Sequence, residues 1–210
     1  MHGLSILIET GGRKILFNTG PSLEVLVRNC KSLDVSLEGV TVFITDWKKQ
    51  HCGALNELLE KYGIVAVYGP PYTNSITLVK PPPIVKDASK VYEDAWFLRS
   101  IGPYGMKWYK EVALAVVEEG NVDLFLGCSA YGFENFIIEA ASLGKLRYVI
   151  GGLHLSTRDV IGFRVLGKLV EKYDIEGIVP LHCTSLEARR EINKRWGIFE
   201  ESGAGLVFDV

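Results

Sequence analysis

Cysteine is scarce and poorly spaced: four residues in 210 (Cys30, Cys52, Cys128 and Cys183), with no Cys-x-x-Cys pair. That excludes a disulfide framework or a zinc knuckle and leaves reduced thiols as the expectation. Excess positive charge is missing as well. A net charge of -2 and a pI near 6.1 provide no basic face of the kind that nucleic-acid binders display, so nucleic acid is not an expected partner. No apolar run approaches the roughly 20 residues of a membrane-spanning helix. Met1-His2-Gly3 leads straight into a strand pattern without the apolar core of a signal peptide, so a cytoplasmic chain with no membrane partner is expected. Internal repeats and low-complexity tracts are also absent.

What the chain does have is apolar content, 48% of residues, enough to bury a full core over one domain spanning residues 1–210. Apolar runs at 4–10 and 14–18, separated by Gly11-Gly12-Arg13, predict a hairpin. Pro21 opens a predicted helix to about Lys31. The β-branched run Val40, Val42, Phe43, Ile44 predicts a buried strand, followed by a polar turn, a helix over 53–62 and a strand at 64–68. Gly69-Pro70-Pro71 and Pro81-Pro82-Pro83 bracket a stretch that cannot be helical. Strands are predicted at 91–101, 111–117 and 122–126, mostly antiparallel, with Glu119-Gly120-Asn121 as a hairpin turn. Helices over 131–143 and 158–172 alternate with strands at 147–150 and 177–179. A helix capped by Thr184 with Glu187 follows, then a last strand at 205–208. This order predicts an α/β fold, a four-layer αββα sandwich with helices outside two packed mixed sheets.

Three of the four histidines, His51, His154 and His182, each follow an apolar run by a short turn and sit beside glycine, cysteine or threonine. If the strands lie side by side, their ends meet at one edge. Three imidazoles there suit zinc or iron with an open position for water. A single such histidine is more often a hydrogen-bonded turn residue.

Six short motifs come in order: His2-Gly3-Leu4-Ser5, then Asn18-Thr19-Gly20, then Asp46-Trp47-Lys48-Lys49-Gln50-His51 followed by Gly127-Cys128-Ser129-Ala130, and finally Gly151-Gly152-Leu153-His154-Leu155 with His182-Cys183-Thr184. Together they resemble the metallo-β-lactamase fold superfamily over nearly the whole chain. The branch they are most similar to is associated with methanopterin biosynthesis, in which a dihydropterin is joined to a ribofuranosyl-aminobenzene phosphate. The resemblance implies a His-x-His-x-Asp-His signature at 46–51, a Gly-Cys-Ser-His element at 127–130, and a two-metal centre.

Against that pattern the first metal position carries Asp46, Lys48 and Ala130. A lysine ammonium only donates and repels a cation, and alanine offers nothing. The second keeps His51 and His182, with His154 in reach, but has Gln50 in place of its carboxylate. Asn18 stands where the supporting turn has an aspartate. The expectation is therefore one divalent metal, zinc first, on His51, His154 and His182, or no metal at all. Lys48, paired with Asp46, would stand in for the missing ion as the catalytic pair, unless both side chains are simply solvated. Cys52, Cys128 and Cys183 neighbour the same edge and read as small buried residues more readily than as soft ligands. His2 reads as a frayed terminus. Trp47, Trp96, Trp108, Tyr104 and Tyr109 would wall a heterocycle pocket or simply pack.

Two functions stay open: a single-metal hydrolase or transferase acting on a small anionic, phosphorylated, pterin-like substrate, and an inactive relative that binds a ligand or regulates. Related chains carry a strand before the His-Gly-Leu-Ser element, so a homodimer that covers the resulting sheet edge is a further expectation.

Overall fold

The computed structural model describes residues 2–70, 91–99 and 111–209. Its strands form two sheets. In the first, β1 (Ile6–Thr10), β2 (Arg13–Phe17), β3 (Thr41–Phe43) and β4 (Ala66–Tyr68) lie in chain order. The β1/β2 hairpin is antiparallel, while β2/β3 and β3/β4 are parallel. In the second, β5 (Ala95–Arg99), β6 (Val112–Glu118), β7 (Asn121–Leu126), β8 (Lys145–Gly151) and β9 (Gly177–Pro180) are likewise in order. There β5/β6/β7 are antiparallel and β7/β8/β9 parallel. The expectation of a mixed-sheet sandwich holds.

Alternation along each strand explains the layering, because successive side chains leave opposite faces of a sheet. Ile15 and Phe17 of β2, Phe43 of β3, Val112 and Leu114 of β6 and Phe125 of β7 meet in one core between the sheets. Their neighbours Leu16 and Val42 point the other way, onto α1 (Leu23–Ser32) and α3 (Leu55–Lys61). Across the molecule Ala113, Ala115, Leu124 and Leu126 pack under α4 (Glu134–Ala141), α5 (Val160–Tyr173) and α6 (Leu186–Trp196). The order of layers is therefore helix, sheet, sheet, helix.

Several expected elements are shorter or differ in kind. The helix expected over 53–62 is observed as α3, two residues shorter at its start, and an unexpected one-turn helix, α2 (Lys49–Cys52), forms within the polar turn before it. Pro21 lies outside α1, whose N-cap is Ser22. Thr184 does not cap α6. Ser185 does, its Oγ accepting from the Ala188 amide, while Thr184 Oγ1 accepts from the Leu153 amide across the site at 3.0 Å. Residues 205–208 are not a strand; Leu206 and Phe208 cover the inter-sheet core as irregular chain. The Pro81-Pro82-Pro83 bracket and the aromatics Tyr104, Trp108 and Tyr109 lie outside the described residues. Among the described residues, no helix is long and apolar enough to cross a membrane.

Candidate metal and anion site

Because β2 and β3 run parallel, and β7, β8 and β9 do too, the carboxyl ends of all five open at one edge of the sandwich. Asn18 follows β2, Asp46 and Lys48 follow β3, and Cys128 with Ser129 follows β7. His154 follows β8 and His182 follows β9. The antiparallel β6 begins at the same edge, which brings in Glu111.

Backbone strain gathers there. Asn18, Ser129, His154 and His182 all adopt left-handed φ between 51° and 59°, an uncommon conformation for residues with a Cβ, and one that persists where surrounding contacts enforce it. The contacts are visible. Arg189 donates through Nη2 to the His182 carbonyl at 2.5 Å and through Nε to the Thr184 carbonyl at 2.9 Å. Gly152 is needed for close approach: a Cβ there would lie 2.4 Å from the Gly127 oxygen and 2.8 Å from Cys183 Sγ. The Thr19 amide donates to the His51 carbonyl at 2.7 Å, and the Leu4 amide to that of Gln50 at 3.2 Å, stitching two loops to α2.

Lys48 does not point to bulk water. Its ammonium pairs with Asp46 Oδ2 at 2.9 Å, with the lysine side chain 31% exposed and that of Asp46 7%. Asp46 Oδ1 accepts from the Lys48 amide at 2.7 Å, which locks the turn. Burial alone would lower the lysine pKa, but Asp46 and Glu111 together push it up to about 12. Glu111, 2% exposed, has its own pKa raised, first by burial and then by Asp46, against the pull of Lys48 and the Ser129 and Ala130 amides. Two carboxylates and one ammonium thus meet where the resemblance puts a first metal, with the Ala130 amide on Glu111. Glu111 had no sequence signal of its own; only the antiparallel entry of β6 puts it there.

Of the three histidines, two come together directly. Nitrogens of His51 and His182 and the sulfur of Cys128 lie within 4.8 Å of one another, all three side chains buried. The rings of His51 and His182 meet edge to face, with centroids 4.7 Å apart. His154 belongs to a neighbouring group with Cys128 and Cys183, and its Nδ1 is 3.2 Å from Cys128 Sγ. Cys128 joins both groups, so the ligand role that ranked below simple burial in the sequence is the one its position suits. Cys52 is in neither; its thiol donates to the Lys48 carbonyl at 3.1 Å and sits in the core beneath α3. His2 is no loose end, since its ring stacks on His182 at 4.4 Å. Trp47 serves packing, buried under β3 with Nε1 donating to the Pro70 carbonyl.

Protonation follows from burial and neighbours. His51, fully buried, has its pKa lowered to about 4 by burial, the opposing pull of Asp46 being smaller. The Cys128 thiol is held up by the Cys183 sulfur and by burial, and Cys183 is lowered by the same contact. In spacing and donor type, two imidazoles and a thiol here match a His/Cys group that holds zinc, provided that each imidazole turns a lone pair to the ion. The position occupied by Lys48 does not fit a cation.

The comparisons with known proteins agree with this architecture. A solved structure described as Tm1679, a metal-dependent hydrolase of the β-lactamase superfamily, superposes with a TM-score of 0.69 at 20% identity over 94% of this chain and 87% of the other. The chain has the metallo-β-lactamase fold. Igni18, described as a metallo hydrolase from Ignicoccus hospitalis, has that fold too, with a TM-score of 0.62 at 13% identity over 100% of this chain and 97% of its own. In sequence, the chain is 22% identical to the 7,8-dihydropterin-6-methyl-4-(β-D-ribofuranosyl)-aminobenzene-5'-phosphate synthase of Methanocaldococcus jannaschii, covering 89% of this chain and 82% of that one. No protein-family model matches. These identities are low enough that they speak for the fold, while activity has to be argued from the site.

Proposed function

We propose that this metallo-β-lactamase-fold protein binds a small phosphorylated anion at Lys48, whose ammonium does the electrostatic work of the first metal of a two-metal centre. The observation that carries this reading is the Lys48–Asp46 pair, 2.9 Å apart at the strand-end edge with the lysine partly exposed. A partly buried ammonium attracts an anion more strongly than one in open water, here against the charge of Asp46, while burial disfavours the charged form of Glu111. Asp46 positions the ammonium. Two-metal chemistry, in which ions clamp both the attacking and the leaving oxygen, lacks its first set of ligands here. A phosphorylated pterin-like molecule is the finer proposal, supported by the activity for which the M. jannaschii relative is named.

The spacing of His51, Cys128 and His182 favours a second reading, in which one divalent ion, zinc by donor type, sits on those residues and the protein is a hydrolase or transferase. Such an ion would supply a polarising charge beside the anion, which Lys48 would orient. Titration calorimetry with a small phosphomonoester in the presence of chelator tests the first reading. Wild type should bind and Lys48→Met should lose at least about tenfold, or 1.4 kcal/mol. Binding that vanishes with chelator, or that ignores the lysine, would refute it.

A further inference from the structure

The retained imidazole of His51 does not present itself as a metal ligand. Its Nδ1 lies 3.0 Å from Asn18 Nδ2 and 3.5 Å from the Thr45 hydroxyl. Which end of the Asn18 amide faces the ring follows from its other partner. The backbone N–H of Thr45, which can only donate, reaches Asn18 Oδ1 at 2.9 Å. The amide NH2 is therefore the end turned to the imidazole, and exchanging the two ends would set one donor against another. An NH2 group only donates, so Nδ1 has to accept with its lone pair. The single proton of the neutral ring is then on Nε2, and a second proton on Nδ1 would collide with the amide hydrogens.

A histidine that binds metal through Nε2 needs the opposite arrangement, with Nδ1–H donating outward to a carboxylate, carbonyl or water and the Nε2 lone pair free for the ion. An aspartate at position 18 could accept that proton; the asparagine blocks it. Position 18 tolerates either residue, since Asn and Asp both suit the left-handed φ of 59° found there.

We infer that Asn18 converts His51 from a metal ligand into a hydrogen-bond donor through Nε2. The nitrogen is buried with no hydrogen-bond partner among the described residues, 3.9 Å from the Asp46 oxygen that Lys48 also holds. A buried N–H without an acceptor calls for one, and an oxygen of the anion held at Lys48 provides it. The pocket then offers two adjacent positive or proton-bearing groups, an ammonium and an imidazole N–H. This deepens the anion-pocket reading and rests on it for the ligand; the tautomer itself rests only on the Asn18–Thr45–His51 geometry.

Long-range proton–nitrogen NMR correlation on 15N-labelled wild-type protein in chelator reads the tautomer directly. The Nε2–H pattern is expected for His51, and an Nδ1–H pattern overturns the inference. Zinc titration of wild type against Asn18→Asp supplies the second arm, with the variant expected to bind about 10–100-fold tighter, the usual scale for a group that orients a metal-bound histidine. Equal or weaker binding by a folded variant also overturns it, and should the variant not fold, the NMR pattern decides alone. Inorganic phosphate added to the labelled wild type separates the two claims. An Nε2–H tautomer that phosphate leaves unmoved supports the role of Asn18 while refuting the anion pocket.

Discussion

Replacing Lys48 by methionine removes an ammonium but keeps most of the side chain's length, so what it changes is the charge beside Asp46. Against the lowering effect of burial, Asp46 and then Glu111 lift the lysine pKa from 10.5 to about 12. At 1.36 kcal/mol per pH unit, the carboxylates net of burial hold the ammonium by about 2 kcal/mol. This lies between the 0–1 kcal/mol of an exposed pair and the roughly 3–5 kcal/mol of breaking a buried one, as suits a carboxylate 7% exposed beside a lysine 31% exposed. Urea denaturation followed by tryptophan fluorescence at neutral pH should show Lys48→Met destabilised by about 2 kcal/mol, a fall of roughly 4–8 °C in Tm for a chain of this size. Asp46→Asn in the same background should restore part of the loss, since it removes the stranded charge. The pH dependence has a definite sign. Because the folded-state pKa is raised, the stabilisation is complete below pH 10.5 and lost as pH rises towards about 12; the difference between wild type and Lys48→Met should therefore shrink over that window. A methionine variant within about 0.5 kcal/mol of wild type, the range of ordinary surface changes, would mean that the pair is solvated and the reasoning fails.

Other consequences follow from the same structure. His51, lowered from 6.5 to about 4, takes up a proton more readily unfolded than folded. Metal-free protein should hold its full stability from this residue above pH 6.5 and lose up to about 3 kcal/mol as pH falls to 4, a loss that His51→Gln should flatten. Gly152→Ala puts a methyl group 2.4 Å from the Gly127 carbonyl oxygen, so the two loops must separate; a cost of about 1–3 kcal/mol with weakened phosphomonoester binding is expected in denaturation and calorimetry. Thr184→Val strands the Leu153 amide that the hydroxyl now satisfies, and unfolding should show a loss of about 1–3 kcal/mol.

The layers were legible because burial follows a period of two. Leu16 faces the outer helices while Ile15 and Phe17 face the inner core, and such alternation is written in the residues themselves. Helix starts were less legible, since Thr184 and Ser185 are both good caps and only packing against Leu153 decides between them. At the site, strand-end position was enough to single out His51, His154, His182 and the Lys48–Asp46 turn. Their grouping was not, because it depends on loop trajectories: His154 turns towards Cys128 and Cys183, and Cys128 takes the place beside His51 and His182. Glu111 was invisible for a similar reason, its position being set by strand direction. The meaning of Asn18 needed a hydrogen-bond network. Its identity is plain in the sequence, but only the Thr45 amide determines which of its two ends meets the imidazole.

The most direct measurement is a crystal structure of the protein grown with zinc and a phosphomonoester, with diffraction recorded at the zinc absorption edge. The account predicts a phosphoryl group within hydrogen-bond reach of Lys48 Nζ, the lysine still paired with Asp46, and no anomalous peak between Asp46, Lys48 and Ala130. A zinc ion bound to Asp46 with Lys48 displaced into solvent would contradict it.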